Sequence, residues 1–224
     1  FNYRTVFNLE DTLQEYITPA RYVKDGKIEI AEALSGLEEV FISGVGVLEA
    51  FFTDGLRSAA DNVKGDFVAE KTMRWPGYVY AIKILIAAGC FQQEPVFVDG
   101  RAVKPIDVTA SLLRPRWELR PEKGERDLTI MRVIARGPKG DKKVTYTWDM
   151  MDRFDEETMS HSMARTTGFP CSITARAIAR DLIREKGFIA PEFLAENFQF
   201  HTYLMKELSC RGLKFKESLL IEDL

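Results

Sequence analysis

The sequence has few of the residues that most often ligate metals or act as nucleophiles. Its 224 residues include 2 histidines and 3 cysteines. Cys90, Cys171 and Cys210 are odd in number and far apart, and none belongs to a C-x-x-C pair or a Cys/His cluster. The pattern supports neither a disulfide framework nor a zinc site. We therefore expect reduced thiols in a cytoplasmic protein.

A strong charge imbalance and long apolar runs are also missing. The formal net charge is −3 and the pI is about 5.6, with basic and acidic residues mixed throughout, so no nucleic-acid partner is expected. The longest apolar run, around Ile84 to Ala88, is far too short to span a membrane. No signal peptide is recognisable. Because position 1 is Phe1 rather than Met, we expect a fragment of a longer protein.

Motifs for common enzyme classes are absent as well. Gly44 and Gly46 suggest a phosphate-binding loop, but the third glycine is replaced by Glu49 and no helix opens there, so we interpret this stretch as a turn. There is no H-E-x-x-H, G-x-S-x-G or P-loop pattern. We therefore assign no catalytic, cofactor-binding or metal-binding residue. A site role for His161 is left open, and His201 is expected at or near the surface.

The remaining patterns predict an α/β (α+β) fold with a mixed, largely antiparallel sheet covered by helices. Asp25-Gly26 between alternating residues predicts a tight hairpin. A second, longer hairpin is expected over 127–136 and 143–152, with Val144, Tyr146, Trp148 and Met150 on one face. Helices are predicted from Asn8 to Tyr16 and over 105–113, 156–167 and 172–186, followed by a helical C-terminal segment.

One stretch organises the rest. In Lys71-Thr-Met-Arg-Trp-Pro-Gly-Tyr78 a strand ends in a turn, and the apolar helix that follows, over 79–88, is expected to be buried. No Ser, Thr, Asp or Asn caps this helix, so its free N–H groups and Arg74 together suit a carboxylate. The alternative is an ordinary core helix with Arg74 in a structural ion pair, and local chemistry alone favours it. Arg57 and Arg165 also stand at element ends, and the spacing does not show whether the three arginines converge.

Four segments, in order and spacing, closely resemble the C-terminal domain of the saccharopine dehydrogenase family. They are Phe51-Phe-Thr-Asp-Gly-Leu-Arg57, the stretch from Lys71 to Tyr78 with Ala88-Gly89, Ser162-Met-Ala-Arg-Thr-Thr-Gly168, and Gly187-Phe-Ile-Ala-Pro-Glu192. Tyr3-Arg-Thr-Val-Phe7 and Glu15-Tyr-Ile-Thr-Pro19 fit too. The family includes saccharopine reductase, lysine 6-dehydrogenase and carboxynorspermidine dehydrogenase, and the resemblance covers nearly the whole chain.

The resemblance implies the substrate-binding domain of an NAD(P)-dependent oxidoreductase that acts on a C–N bond of a saccharopine- or lysine-type amino acid. The cofactor is expected on an N-terminal Rossmann domain that is absent here, so the isolated chain should be inactive. Residues 1–190 would bind substrate and form a homodimer, and residues 191–224 would be a helical segment that packs toward the Rossmann domain. The alternative is a non-catalytic dimerisation or amino-acid-sensing module derived from that family.

The resemblance also implies substrate-binding residues. Arg74 matches a family arginine that holds a substrate carboxylate, within a motif that includes Gly77 and Tyr78. Phe7 falls where the family has an aromatic pocket residue. Many relatives have His or Phe at the position of Tyr78, which leaves the exact substrate open. Arg57 and Arg165 belong to family motifs, and we assign them mainly to structure, with a site role as the alternative.

Overall fold

The computed structural model describes residues 3–223, which form two compact units, Phe1–Glu118 and Leu119–Leu224. Each is described here by itself. Both combine helices with antiparallel strand pairs, as the predicted α/β (α+β) class requires. The sequence analysis placed a boundary at residue 190, whereas the compact units divide after Glu118. The division follows Trp117, a 1% exposed residue in the core of the first unit.

The first unit contains eight strands and four helices within its described residues. The strands are β1 Ala20–Lys24, β2 Lys27–Ala31, β3 Glu38–Ile42, β4 Gly46–Phe52, β5 Phe67–Val68, β6 Lys71–Arg74, β7 Val96–Val98 and β8 Arg101–Val103. The helices are α1 Leu9–Glu15, α2 Ala59–Asn62, α3 Tyr78–Ala87 and α4 Pro105–Trp117. The strand order is β2-β1-β5 in one sheet and β3-β4-β6 in another, and β7 and β8 form a separate hairpin.

Local chemistry explains several of these elements. Asp25 and Gly26 both have positive φ, at 50° and 71°, which is the geometry of the tight turn predicted between β1 and β2. The side chain of Asn8 accepts the N–H of Glu10 at 2.9 Å and so begins α1. The core lies between α1, α3 and α4, and its least exposed members are Leu13, Ile82 and Phe51.

One expectation for the first unit was wrong. Helix α3 was expected to be buried on all sides, yet Tyr80 is 73% exposed and Ile84 is 50% exposed. Only Tyr78, Val79 and Ile82 are buried, because the core covers a single face of the helix.

The second unit joins a three-stranded sheet to two helices. The strands are β9 Leu128–Lys139, β10 Lys142–Arg153 and β11 Phe215–Asp223, the helices are α5 Ser162–Ala179 and α6 Phe198–Cys210, and 3₁₀ turns cover Pro121–Lys123 and Pro191–Glu196. Strand β10 lies between β11 and β9. The predicted long hairpin is confirmed, and its turn is tighter than expected because pairing continues to Lys139 and Lys142.

One face of this sheet is apolar along β10, as the alternation of Val144, Tyr146, Trp148 and Met150 predicted. Met150 is buried with Phe215 packed nearby, in a cluster that includes residues of α5 and α6. Tyr146, further toward the hairpin turn, is half-buried. It pairs directly with Leu219, which is 47% exposed. The rings of Tyr146 and Trp148 stack with centroids 5.5 Å apart. The apolar face of β10 and β11 therefore continues past the cluster around Met150 to residues that are partly exposed to solvent.

The helical predictions for the second unit needed correction. Residues 156–167 and 172–186 were expected to form two helices separated by Gly168-Phe169-Pro170. Instead, the single helix α5 continues through these three residues. Ile173 and Ala177 are fully buried, and their packing stabilises a helix that Gly168 and Pro170 disfavour locally. The C-terminal segment was expected to be helical to its end, but Phe215–Asp223 forms β11 because it pairs with β10 over nine residues.

Candidate functional site

Alternate residues of β4 and β6 form one polar face beneath helix α1. Glu49 pairs in register with Arg74, and Phe51 pairs with Thr72, so these four side chains lie on the same side of the sheet. We call this side the site face. Helix α1 covers it: the rings of Tyr16 and Phe51 are 6.4 Å apart, and the adjacent Glu15 contacts Thr72. A sheet and a helix thereby position every group described next.

Arg74 is held by neutral groups. Its Nη1 donates to the carbonyl of Met73 at 3.0 Å, and its Nη2 donates to the hydroxyl of Tyr16 at 3.2 Å. Its guanidinium lies over the rings of Tyr3 and Tyr78, at 4.9 and 5.8 Å from their centroids. Its Nε is buried and has no hydrogen-bond partner. Among residues 3–223 no acid forms an ion pair with Arg74.

The tyrosines do not neutralise this charge. Burial raises the pKa of Tyr16 to about 12, against the opposing influence of Arg74. Burial also raises the pKa of Tyr78, whose hydroxyl donates to that of Tyr16 at 3.1 Å. Both phenols are therefore protonated at neutral pH. Burial alone would lower the pKa of Arg74, but Tyr16, Tyr3 and Glu15 outweigh it and the pKa is raised. Arg74 thus keeps a full positive charge.

The start of helix α3 is capped by a residue distant in sequence. The Glu49 carboxylate accepts the N–H of Gly77 at 2.6 Å and the N–H of Val79 at 3.3 Å. The sequence analysis left this end uncapped and free for a ligand carboxylate, and that interpretation was wrong. No local residue supplies the cap because the chain itself places a carboxylate there from β4. These two N–H groups of the helix end are therefore not free to hold a ligand carboxylate.

Two further acids flank the site face and are joined by threonine hydroxyls. Thr53 donates to Glu70 at 2.7 Å, Thr72 donates to Glu15 at 2.9 Å, and the two hydroxyls are 2.8 Å apart. These three contacts need three protons, and the two hydroxyls supply two. Burial, with Glu15 adding to it, raises the pKa of Glu70. Glu70 therefore holds a proton more tightly than an exposed carboxyl group does.

The structure brings some of the predicted site residues together. Arg74, Gly77 and Tyr78 form one cluster on the site face and at the start of α3. Phe7 precedes α1 and is 46% exposed. Arg57 lies in the turn after β4, where its side chain is 75% exposed and pairs with Asp54 at 3.2 Å. The role of each in substrate binding remains a prediction.

Arg165 belongs to the second unit and is occupied there. Its Nε donates to Asp152 at 3.2 Å, its Nη1 pairs with Asp155, and its Nη2 donates to the carbonyl of Arg211 at 2.9 Å. Its side chain is 12% exposed. This set of partners stabilises the packing of α5 on β10, which favours the structural assignment over a site role.

The sequence did not identify four residues at or above the site face: Glu49 and Thr72 on the sheet, and Glu15 and Tyr16 at the end of α1. Glu15 and Tyr16 read as the end of an amphipathic helix, and nothing local shows that their side chains contact Arg74 or Thr72. The family segment from Glu15 to Pro19 was the available signal. Glu49 was interpreted as the residue that stands where a glycine-rich loop would have its third glycine. Its contact with α3 is visible only once the strands are paired.

The starts of α3 and α5 are not free to hold a nicotinamide dinucleotide. Its pyrophosphate is normally held by free N–H groups at a helix N-terminus. Glu49 fills that position at α3, and Asp127 fills it at α5, where it accepts the N–H groups of Ser162 and Met163, both at 2.9 Å. Over residues 3–223 there is also no cluster of three or more His, Cys, Asp or Glu side chains suited to a metal ion. Within the same residues, no helix is both long and apolar enough to cross a membrane.

The planar guanidinium of an arginine matches the geometry of a carboxylate or a phosphate. The model of the saccharopine dehydrogenase C-terminal domain matches residues 1–213. The chain belongs to the saccharopine dehydrogenase family, of which it has the C-terminal domain.

A solved structure shows the same fold. It is the apo histidine-tagged saccharopine dehydrogenase (L-Glu forming) from Saccharomyces cerevisiae, with a TM-score of 0.75 and 18% sequence identity. The alignment covers 97% of this chain and 62% of the yeast protein. This chain therefore spans less than two thirds of that protein, and at this identity the likeness establishes the fold alone.

Proposed function

We propose that this chain is the substrate-binding domain of an NAD(P)-dependent oxidoreductase that acts on a C–N bond of a saccharopine- or lysine-type amino acid. Family membership supports the enzyme class. The hydride step and the nicotinamide cofactor belong, in this proposal, to a separate dinucleotide-binding domain. The isolated chain is then inactive in turnover and competent in binding. The expected pathway is lysine metabolism.

The observation that carries this proposal is the state of Arg74. It is a half-buried, fully charged guanidinium with an unpartnered Nε, and within residues 3–223 its hydrogen bonds go to a carbonyl and a phenol. A charge removed from water without an acidic partner is costly, so it is normally paired in its functional state. A ligand carboxylate supplies that pair, and the planar guanidinium fixes its orientation. Arg74 thereby positions the substrate for a reaction on the other domain.

Calorimetry with saccharopine tests the proposal on the chain itself. Arg74→Ala should weaken binding by tenfold or more, since a charge-assisted hydrogen bond contributes roughly 1.5–3 kcal/mol. Arg114→Ala is the matched control, because Arg114 makes an exposed ion pair with Glu10 on the outer side of α1. Equal affinity in the wild type and Arg74→Ala, with both proteins folded by circular dichroism, contradicts the proposal. Joining the chain to a dinucleotide-binding domain then allows an assay for saccharopine- or lysine-dependent reduction of NAD(P).

A non-catalytic dimerisation or amino-acid-sensing module is the second candidate. The observation in its favour is that Tyr16 and Tyr78 are 1% and 3% exposed and already bonded to each other. A pair of tyrosines that is buried and hydrogen-bonded internally can stabilise the core without taking part in catalysis. Saccharopine binding that depends on Arg74, together with turnover in the joined protein, separates the enzyme from the module.

We further propose a homodimer and a cytoplasmic location. The open end of the apolar face on β10 and β11 supports the first, since Leu219 and Ile221 are 47% and 56% exposed there. The three cysteines, all free, support the second, because thiols stay reduced in the cytoplasm. The packing of residues 191–224 against a dinucleotide-binding domain also belongs to this proposal.

A further inference from the structure

The outer edge of β11 is an exposed strand edge. Strand β11 lies at the end of the β11-β10-β9 sheet, and all its residues from Lys216 to Asp223 are exposed. Within residues 3–223, β10 is the only strand that pairs with it. A row of backbone N–H and C=O groups without partners is a template for another strand. The match to the family domain ends at residue 213 and does not extend to this strand.

The two edges of this sheet differ in their protection against such pairing. At the other edge, β9 contains Pro138, and its charged side chains Arg132, Arg136 and Lys139 are all positive. Proline removes a backbone donor and like charges repel, so β9 is protected from a copy of itself. Strand β11 has no proline, carries charges of both signs, and pairs with β10 over nine residues without a bulge. It therefore lacks the features that block pairing with its own copy.

The charges of β11 are arranged so that two copies complement each other. In an antiparallel pair of β11 strands centred on Leu219, Lys216 of each copy lies opposite Glu222 of the other. Opposite charges that directly face each other across two strands stabilise the pair. A centre one residue further along would instead place Glu217 opposite Asp223, two acids. The sequence of the strand therefore favours the register centred on Leu219.

The two residues that would pair across the copies are not engaged within the chain. Glu217 accepts a hydrogen bond from Trp148 of β10 at 2.8 Å, and Asp223 forms an ion pair with a lysine of β10. Within residues 3–223 neither Lys216 nor Glu222 forms an ion pair. Both charges are thus available for a second copy.

We infer that two copies of this chain pair antiparallel along β11, centred on Leu219, and join their sheets into one continuous six-stranded sheet. The inference rests on the proposed homodimer and specifies its geometry: the copies meet edge to edge rather than by stacking their apolar faces. Leu219 of one copy then lies beside Leu219 of the other, which removes part of the exposed apolar surface from water.

Disulfide cross-linking of the whole chain tests this geometry. Residues that directly face each other in an antiparallel pair have Cα atoms about 4.5–5.5 Å apart, within reach of a disulfide. Leu219→Cys, combined with Cys171→Ser and Cys210→Ser to remove the exposed thiols, should form a covalent dimer on mild oxidation. Ile221→Cys in the same background is the control. It lies on the same face, but its two copies would be about 14 Å apart along the strand.

A charge exchange tests the register. Lys216→Glu places two acids opposite each other at both ends of the contact and should weaken association about tenfold in a dilution series followed by light scattering. Glu222→Lys should weaken it to a similar extent. The double variant should regain the wild-type association, because it restores both ion pairs with reversed sign.

Each outcome bears on the inference. A dimer that Leu219→Cys does not cross-link overturns it and leaves the proposed homodimer standing, whereas a monomeric chain overturns both. Equal cross-linking of Leu219→Cys and Ile221→Cys indicates stacked faces and overturns it, as does a double charge variant that associates no better than the single ones. If Leu219→Cys does not fold, a mixture of Ser218→Cys and Leu220→Cys takes its place. These two positions face each other in the same register, and failure of the mixture to cross-link overturns the inference.

Discussion

The carboxylate of Glu49 accepts the backbone N–H of Gly77 at 2.6 Å, across 28 positions of sequence. This bond joins the end of a sheet to the first turn of α3, which has no capping side chain of its own. It also determines what the neighbouring Arg74 can do. Because Glu49 is engaged by the helix, it does not pair with Arg74, although the two are register partners. Within residues 3–223 the guanidinium of Arg74 is left without an acidic partner.

Replacement of Glu49 by Ala should destabilise the first unit by about 1–2 kcal/mol. Two N–H groups of α3 lose their acceptor, and the loss of a helix cap typically costs this much. Urea unfolding measures the change. Glu39→Ala is the control, since Glu39 is exposed on the adjacent strand and pairs in register with Glu49. Equal stability of the two variants would contradict the capping role.

Two glycine-to-alanine replacements should have opposite effects. Gly77 has φ of 88°, so Gly77→Ala should cost roughly 1 kcal/mol of stability, although nothing lies within 4 Å of the added Cβ. Gly168 is exposed in the middle of α5 with no atom within 4 Å of an added Cβ, and its φ is not positive. Gly168→Ala should therefore stabilise by about 0.5–1 kcal/mol. Thermal unfolding that shows the same sign for both contradicts this account of the backbone.

The stability contributed by Glu70 should fall as pH rises. Its pKa is raised in the folded protein above 4.5, so the folded state binds the proton more tightly than the unfolded state does. That stability is present below pH 4.5 and is lost as pH rises through the folded pKa. Relative to Glu70→Gln, the wild type should lose stability in urea unfolding as pH rises above 4.5.

Asp149 gives the comparison of opposite sign. Arg132 donates to it at 2.6 and 2.8 Å and lowers its pKa below 3.8. Its contribution is therefore present at neutral pH and lost as pH falls below 3.8 through the folded pKa. Asp149→Asn should remove this acid-side loss. The loss of stability should occur with rising pH for Glu70 and with falling pH for Asp149. A loss in the same direction of pH for both residues would contradict the two assignments.

Light scattering should show a dimer that Leu219→Arg converts to a monomer. Leu219 pairs with Tyr146 on the apolar face, so an arginine there would bury an unpaired charge in the contact. Leu220→Arg is the control, because Leu220 is 56% exposed and points to the opposite side of the same strand. A wild-type monomer at high concentration, or dissociation by Leu220→Arg alone, would contradict the proposed interface.

The sequence predicted features that depend on neighbours in the chain. Asp25-Gly26 specified its hairpin, and the alternation from Val144 to Met150 specified the apolar face, because both signals are local. Prediction from the sequence was wrong where contacts with residues far along the chain determine the local structure. Ile173 and Ala177 hold α5 together through Gly168 and Pro170, and β10 imposes extended structure on Phe215–Asp223.

The candidate site divides in the same way. Arg74, Gly77 and Tyr78 stand within one short segment, so a family motif identifies them together. Tyr16 is 58 positions from Arg74, and Glu15 is 57 positions from Thr72. No periodicity or local spacing connects such residues. Their relationship exists only once α1 packs on the sheet.

The two borrowed helix caps also constrain the order in which the protein folds. Glu49 reaches α3 across 28 residues, and Asp127 reaches the first turn of α5 across 35 and 36 residues. Neither helix start is complete until those distant strands are in place, and closing such loops costs chain entropy before any contact repays it. A short peptide containing α3 alone would have an unstable first turn. The ends of α3 and α5 therefore form late, after the sheets that supply their carboxylates.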